Sequence, residues 1–246
     1  MAEYNSDRVK SQSDPYVAFT DKHGGLKFVM ADNNPNSRDI MKNGICEYNL
    51  IQWARQFLKD RPGTDFLDIG AHVGTWGCYL SDICNMVHSF EPQSATYRAL
   101  NKSIDLNEME NIRTYQVALG NPKQEGEIMT LNIVSLDGGG STLLDEAAVQ
   151  AGSDYGNEKV KVRSLDSYEL NNVGFIKIDV EGFELEVLEG ARQTLKRNNW
   201  PKIIFEAWPD DWYKDKREEL FNFFPTIGYK VVRIGGFDHM FIAEPI

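Results

Sequence analysis

The sequence predicts a doubly wound α/β fold built on a mostly parallel, seven-stranded sheet. From residue 65 onwards, apolar segments of strand length alternate with segments of helical periodicity, the pattern of a sheet covered by helices on both faces. The chain has 246 residues, 41% of them hydrophobic, which is enough for one large core. The polar stretches between the apolar segments are short, apart from one long interruption at residues 120–165.

Residues 1–60 are predicted to form an N-terminal annex, made of a hairpin and a helix. We expect the polar residues 1–15 to be frayed. YVAFT and LKFVMA flank a polar turn at residues 21–25, which is typical of a short hairpin. Apolar residues then recur at helical spacing over residues 47–59, until an Arg-Pro-Gly sequence at 61–63 ends the helix. The main domain is predicted to span residues 61–246.

Within the main domain, seven segments are predicted to be the strands of the sheet: DFLDIG, MVHSFEP, IRTYQVAL, GFIKIDV, KIIFEAW, YKVVRIG and HMFIAEP. Helices are predicted between them at residues 75–83, 94–106, 185–197 and 214–224. Residues 120–165 break the alternation, since the strand-like segments EIMTLNIV and KVKVRSL are joined through Gly138, Gly139 and Gly140. Long connections of this kind are usually functional or mobile, so we predict a β insertion near the functional site.

Charge and cysteine content limit the partners and the compartment. The chain has 37 acidic and 26 basic residues, so its net charge of −11 repels phosphate backbones and anionic lipids. The three cysteines match neither a redox pair nor a zinc site, and the polar N-terminus is unlike a secretory signal. No apolar run reaches the roughly 18 to 20 residues of a membrane helix. We therefore expect a cytoplasmic protein without nucleic-acid or membrane partners, and its oligomeric state, a dimer included, stays open.

The segment FLDIGAHVGTWG carries the first functional motif. An apolar strand runs into Asp68 and Gly70, and Gly74 directly precedes a predicted helix. Glycines suit a tight turn in which a ligand approaches the backbone at a helix N-terminus. The spacing D-x-G-x-x-x-G differs from the pyrophosphate-binding G-x-G-x-x-G and suits a ligand that has an ammonium group and no phosphate. S-adenosylmethionine is such a ligand, although an ordinary strand-to-helix turn is the alternative.

Glu91, in SFEP, is the second motif and lies about 20 residues beyond the glycine loop. A carboxylate at the tip of the neighbouring strand can accept hydrogen bonds from both hydroxyls of a ribose. The alternative is an exposed glutamate before a turn proline. Together the two strand tips predict an S-adenosylmethionine site and disfavour a nicotinamide-dependent oxidoreductase, which needs the G-x-G-x-x-G loop.

From about residue 66 to 207 the chain resembles the FkbM-like family of methyltransferases. The matching stretches are FLDIGAHVG, SFEP, VALGN, GGGSTL, VRSLDSY and KIDVEGFELEVLEGA. The resemblance implies a Rossmann-like class I methyltransferase in which six residues serve the cofactor: Gly70, Ala71 and Gly74 at the methionine end, Asp68 beneath it, Glu91 at the ribose and Ala118 near the adenine. Many class I methyltransferases carry an aspartate near the last position, so here the adenine is expected to be recognised by backbone groups.

Methyl transfer to oxygen removes a proton from the acceptor, so a base or a metal ion is expected nearby. Asp179, Glu181 and Glu206 follow strands whose carboxyl ends meet at one edge of the sheet, and they are the predicted catalytic residues. Glu181 has an alternative role as a cap of the next helix. The trio also suits Mg²⁺ or Mn²⁺, but without a dense acidic array we predict no metal site. His72 and His239 are further bases, each with a packing role as the alternative.

Trp208, Trp212 and Tyr213 follow Glu206, and aromatic faces bind the apolar faces of sugar rings. They can equally pack the next helix onto the sheet. The loop Gly138 to Thr142 either closes over a ligand or is an ordinary turn. We predict an O-methyltransferase that acts on a hydroxyl of a sugar or glycoside, and the family resemblance suggests a deoxyhexose such as rhamnose at a glycan end. A methyltransferase for other small molecules and a glycan-binding module with a degenerate cofactor site are the alternatives.

Overall fold

The computed structural model describes residues 16–32, 35–135, 137–151 and 155–246. The frayed segment predicted at residues 1–15 lies outside these ranges. The described chain contains twelve strands: β1 (Tyr16–Thr20), β2 (Lys27–Ala31), β3 (Asp65–Ile69), β4 (Val87–Phe90), β5 (Ile112–Tyr115), β6 (Ala118–Leu119), β7 (Ile128–Asn132), β8 (Asn157–Arg163), β9 (Val173–Ile178), β10 (Lys202–Glu206), β11 (Tyr229–Arg233) and β12 (Met240–Pro245). Its α-helices are α1 (Pro35–Asn43), α2 (Tyr48–Lys59), α3 (Thr75–Leu80), α4 (Ser94–Leu106), α5 (Asp145–Ala151), α6 (Glu184–Glu189), α7 (Arg192–Arg197) and α8 (Lys214–Thr226).

Seven strands form the main sheet in the order β11-β12-β10-β9-β3-β4-β5. β12 is antiparallel to both of its neighbours, and the other pairs are parallel. Every residue of the two central strands, β3 and β9, is buried, because helices cover both faces of the sheet. Phe66 and Phe175 pack against the face that carries α2 and α3, whereas Leu67 and Ile176 belong to the cluster on the opposite face. The predicted fold class is confirmed.

The predicted strand IRTYQVAL is wrong as a single element. β5 ends at Tyr115, and residues 118–119 leave the main sheet as β6, which pairs in parallel with β8. β8 also pairs with β7 in antiparallel register, so the insertion forms a separate three-stranded sheet. The chain therefore leaves the main sheet just beyond the end of its edge strand β5 and forms the insertion as a second sheet.

The predicted helix over residues 185–197 is also interrupted. It consists of α6 and α7, separated by Gly190 and Ala191. A Cβ atom on Gly190 would lie 2.1 Å from the carbonyl oxygen of Gly120, so the chain passes very close to the insertion there. The Gly190 carbonyl also accepts the backbone N–H of Asp166. These contacts account for the break.

The annex packs on the outside of the main domain. β1 and β2 form the predicted hairpin, and β2 lies against α4, where the Val29 N–H donates to Ser103 Oγ at 3.0 Å. The Asp21 carboxylate in the hairpin turn accepts the backbone N–H groups of His23 and Ile45, which ties the hairpin to the start of the helical segment. Among the described helices, none has both the length and the apolar character needed to cross a membrane.

Candidate active site

A cleft opens at the carboxyl ends of β3, β4 and β9, where open α/β sheets bind their ligands. One end of the cleft is apolar and includes Val117, Ala118, Leu131, Leu143 and Phe183. The other end is lined by Glu47, Asp179 and Glu181, together with the basic side chain of Lys177. The cleft therefore has an apolar slot at one end and an acidic end opposite it.

The glycine loop after β3 forms one wall of the cleft. Gly70 has a φ of 76°, and a Cβ atom there would lie 1.7 Å from the carbonyl oxygen of Asp179. Gly70 and Ala71 line the cleft, but Gly74 is not part of its lining. Gly74 has a φ of 90°, and a Cβ there would lie 2.6 Å from Leu100. Both glycines are thus required by close contacts within the protein as well as by the sharpness of the turn.

Glu91 lies at the tip of β4 and lines the same cleft. Its carboxylate accepts the backbone N–H groups of His72 and Gln93, both at 2.9 Å. Burial raises the pKa of Glu91 to about 8. His72 has a φ of 52°, and its Nε2 lies 2.6 Å from the carbonyl oxygen of Asp137, so the imidazole holds the insertion in contact with the glycine loop.

A buried lysine that sequence reasoning missed lies beneath the acidic end of the cleft. Lys177, on β9, is only 3% exposed, and its Nζ donates to the Gly70 carbonyl oxygen at 2.6 Å. The same Nζ lies 3.2 Å from Asp179 and 3.8 Å from Asp68, which is fully buried behind the cleft. A single lysine within the otherwise apolar strand GFIKI was the signal available in the sequence, because a lysine is almost never fully buried unless it is paired.

The charge distribution follows from this pairing. Burial alone would lower the pKa of Lys177, but Asp179 and Asp68 outweigh it and hold that pKa above its ordinary value. Burial would likewise raise the pKa of Asp179, yet the neighbouring ammonium group lowers it below the usual range. For Asp68, burial is the larger effect and the pKa is raised. The lowered pKa of Asp179 keeps this carboxylate ionised at neutral pH.

The three predicted catalytic carboxylates come together. One oxygen each of Asp179, Glu181 and Glu206 lies within 4.8 Å of the other two, which is also the spacing of a metal site. Burial and the neighbouring acids raise the pKa of Glu181 to about 8 and that of Glu206 well above its ordinary value. Glu206 and Asp179 share a hydrogen bond, and the opposite directions of their pKa shifts leave the proton on Glu206.

Glu181 does not cap the next helix: α6 begins at Glu184 after Phe183, and no side chain of the described residues caps its N-terminus. Glu184 accepts the backbone N–H groups of Gly182 at 3.2 Å and Val180 at 3.3 Å. It also accepts the Tyr213 hydroxyl at 2.5 Å, so this aromatic side chain packs and bonds within the core. Glu181 itself adopts a φ of 53° and lines the cleft.

A second cavity, called here the aromatic recess, adjoins the cleft. Eight residues line it: Val134, Gly140, Thr142, Ala147, Glu181, Trp208, Asp210 and Trp212. Glu181 and Gly140 line both cavities, so the aromatic recess opens next to the carboxylate trio. His239 lies behind it, with its ring stacked on Trp208 at a centroid distance of 4.9 Å and its Nε2 3.7 Å from Glu206.

The loop from Gly138 to Thr142 lies over the cleft. Its three glycines and Ser141 belong to the lining, and Ser141 Oγ donates to Gln93 Oε1 at 2.8 Å. Thr142 Oγ1 donates to the Glu181 carbonyl oxygen at 2.7 Å. The insertion is thus bonded to both the second strand tip and the acidic end of the cleft.

Glu47 is a further residue that sequence reasoning did not assign to the site. It directly precedes α2, lines the cleft, and accepts the indole N–H of Trp76 at 2.9 Å. Burial raises its pKa. The annex therefore contributes an acid to the same end of the cleft as Asp179.

Comparison with known proteins places this geometry in a family. The hexuronic acid methyltransferase AglP of Haloferax volcanii is 28% identical over 63% of this chain and 62% of its own length. The FkbM methyltransferase structure from Methylobacillus flagellatus has a TM-score of 0.51 at 19% identity, over 74% of this chain and 44% of that one. A precorrin-6y C5,15-methyltransferase structure from Geobacter metallireducens has a TM-score of 0.50 at 11% identity, over 83% and 92%.

These matches differ in what they support. The chain spans less than two thirds of the Haloferax relative and less than half of the Methylobacillus chain. At such identities the solved structures support the methyltransferase fold alone. The model of the methyltransferase FkbM domain, however, matches residues 68–231, more than half of the chain and all of the sheet edge that carries the site. This chain belongs to the FkbM methyltransferase domain family.

Proposed function

We propose that this protein transfers the methyl group of S-adenosylmethionine to a hydroxyl of a sugar or glycoside. The observation that carries the proposal is the continuity of the two cavities. An apolar slot, a buried carboxylate and an acidic end follow one another along the cleft, and the aromatic recess begins where the acids are. The hexuronic acid specificity of the Haloferax relative agrees with a carbohydrate acceptor.

The cleft residues fit the cofactor in their chemistry. The slot around Val117, Ala118 and Phe183 suits an adenine, and Glu91 between the two ends suits the ribose hydroxyls. The acids at the other end, Glu47 among them, suit a ligand with an ammonium and a sulfonium group. The cofactor would supply an electrophilic methyl group there.

Asp179 is the proposed base. It is ionised because Lys177 lowers its pKa, and it is close enough to Glu206 to receive a hydrogen bond from the protonated acid. A hydroxyl that donates to Asp179 would be oriented for attack and would pass its proton to this carboxylate as the new bond forms. Glu206 is then an orienting acid, and Glu181 is the carboxyl group that faces the acceptor side.

We propose that no metal is needed in this trio, although its spacing would allow one. The ammonium group of Lys177 lies 3.2 Å from Asp179 and already supplies a positive charge. The pKa of Glu206 is raised well above its ordinary value, and a carboxylate that binds a metal ion has to lose its proton. Activity should therefore survive treatment with a chelator.

Incubation with radiolabelled S-adenosylmethionine and a panel of neutral, deoxy and acidic glycosides tests the proposal. We expect label in at least one glycoside, a rhamnoside being the first to try. Asp179→Asn should abolish most of the transfer, because its amide cannot accept the proton, whereas Asp238→Asn, with a side chain 81% exposed, should not. Transfer to a peptide or lipid but to no sugar would refute the acceptor class. Calorimetry that detects no binding of S-adenosylhomocysteine would favour a glycan-binding module instead.

A further inference from the structure

The aromatic recess has a charge pattern that bears on which sugar it can hold. Its only ionisable lining residues among those the structure describes are Glu181 and Asp210, and both are acids. Trp208 and Trp212 supply the aromatic walls, and Thr142 and Gly140 come from the insertion. We propose that this recess binds an uncharged pyranose ring of the acceptor and disfavours hexuronic acids. The inference rests on the proposed sugar methylation and specifies its substrate.

The position of the recess supports an acceptor ring rather than a remote binding site. Glu181 and Gly140 form the boundary that the recess shares with the cleft. Asp179 and Glu206 each place an oxygen within 4.8 Å of Glu181. A ring that stacks on the tryptophans would therefore extend a hydroxyl towards the proposed base and the acidic end of the cleft.

The basic side chains near the recess do not offset the acidic character of its lining. Lys177 is directed away from the recess, because its Nζ donates to the Gly70 carbonyl oxygen and contacts Asp179. Arg217 donates to the carbonyl oxygen of Trp208 at 3.3 Å, and it is not among the recess lining. A hexuronate in the recess would place its carboxylate beside the acidic side chains of Glu181 and Asp210 without a cationic partner, which is unfavourable.

This specificity separates the chain from its Haloferax relative, which is a hexuronic acid methyltransferase. At 28% identity over 62% of the relative's length, the acceptor side is free to differ. Three residues of the recess, Trp208, Asp210 and Trp212, lie in the connection between β10 and α8, outside any regular strand. Loops positioned by a rigid sheet are where specificity usually resides.

A matched pair of acceptors tests the proposal: 4-nitrophenyl glucoside and 4-nitrophenyl glucuronide, which differ only in carrying a hydroxymethyl or a carboxylate at C6. We expect kcat/KM to favour the glucoside by at least about tenfold, since like charges at an interface are strongly discriminated against. Asp210→Arg should reduce this preference by about tenfold or more, as one repulsive charge becomes attractive. Asp211→Arg makes the same charge change at the next residue, which is exposed like Asp210 but lies outside the recess lining, and should change the preference much less.

The contribution of the aromatic side chains to acceptor binding is tested by a second pair of variants. Trp212→Ala should raise KM for the glucoside by about tenfold with little change in S-adenosylhomocysteine affinity, because only acceptor stacking is lost. Trp53→Ala removes a tryptophan that is 37% exposed on α2, outside both cavities, and should leave KM unchanged.

Three results would overturn the recess assignment while leaving the cofactor site intact. They are equal or better use of the glucuronide, equal KM values for Trp212→Ala and Trp53→Ala, and binding of S-adenosylhomocysteine without binding or methylation of either probe. Failure of the wild-type protein to bind S-adenosylhomocysteine would instead refute the proposed function.

Discussion

Replacement of Lys177 by methionine is expected to destabilise the protein and to shift its activity to higher pH. Methionine preserves much of the aliphatic volume but removes the ammonium group. The change deletes a charged hydrogen bond of 2.6 Å to the Gly70 carbonyl oxygen and two carboxylate contacts, at 3.2 Å to Asp179 and 3.8 Å to Asp68. Both acids then lose the positive charge that offsets their burial.

The magnitude follows from the burial of the pair. Removal of one partner of a buried ion pair costs about 3–5 kcal/mol, because the remaining charge is left uncompensated. Asp68 is fully buried, but the Asp179 side chain is 28% exposed, so solvent screens part of its interaction with Lys177. We therefore expect a loss of stability in the lower half of that range. A matched surface change, Lys230→Met, removes a pair with Glu244 in which the lysine side chain is 59% exposed, and it should cost no more than about 1 kcal/mol.

Urea denaturation at pH 7 measures the free energy of unfolding of both variants. The double variant Lys177→Met with Asp68→Asn should recover part of the loss, since the second change removes a stranded charge. Lys177 also lowers the pKa of Asp179, so its removal raises that pKa, and the rise of kcat with pH should move to higher pH. The reasoning would be refuted if the free energy of unfolding of Lys177→Met lay within about 1 kcal/mol of that of Lys230→Met and if Lys177→Met kept the wild-type dependence of kcat on pH.

Three further predictions concern the glycine loop and two acids, Glu181 and Glu184. Gly70→Ala places a Cβ 1.7 Å from the Asp179 carbonyl oxygen, so calorimetry should detect a large loss of S-adenosylhomocysteine affinity, whereas Gly63→Ala, with nearly the same φ and open space around it, should keep the affinity. The pKa of Glu181 is about 8, so kcat should rise between pH 7 and pH 9 as this group ionises beside the acceptor; a Glu181→Gln variant that retains the same rise would contradict the assignment. Burial raises the pKa of Glu184 to about 7, so its contribution to stability is complete below the unfolded pKa and is lost as pH rises through 7. Urea denaturation should therefore show the wild type losing about 3 kcal/mol more than Glu184→Gln between pH 4.5 and pH 8, and equal losses would exclude this group as the cause.

The main sheet could be predicted because its strands and helices each leave a local pattern. The meeting of Asp179, Glu181 and Glu206 was also predictable, since the carboxyl ends of parallel strands share an edge. Their catalytic roles stay predictions. The end of β5 at Tyr115 was not predictable, because QVAL continues the same alternation while the chain leaves for another sheet.

Other features depend on contacts between distant parts of the chain. Glu47 enters the cleft because α2 packs beside α3, where the Trp76 indole holds its carboxylate. Gly190 interrupts a helical pattern only because the backbone of Gly120 approaches it. Neither contact has a signature in the local sequence, and Lys177 had one only in its position within an apolar strand.

The two walls of the aromatic recess come from separate parts of the chain. Trp208, Asp210 and Trp212 follow β10, whereas Val134, Thr142 and Ala147 belong to the insertion. The proposed base, Asp179, comes from neither, since it directly follows β9. We therefore expect the proposed acceptor range and the proposed chemical step to be separable by mutation: changes at Val134 and Ala147, which line the recess and not the cleft, should alter which acceptor is used while Asp179 keeps its support on the main sheet.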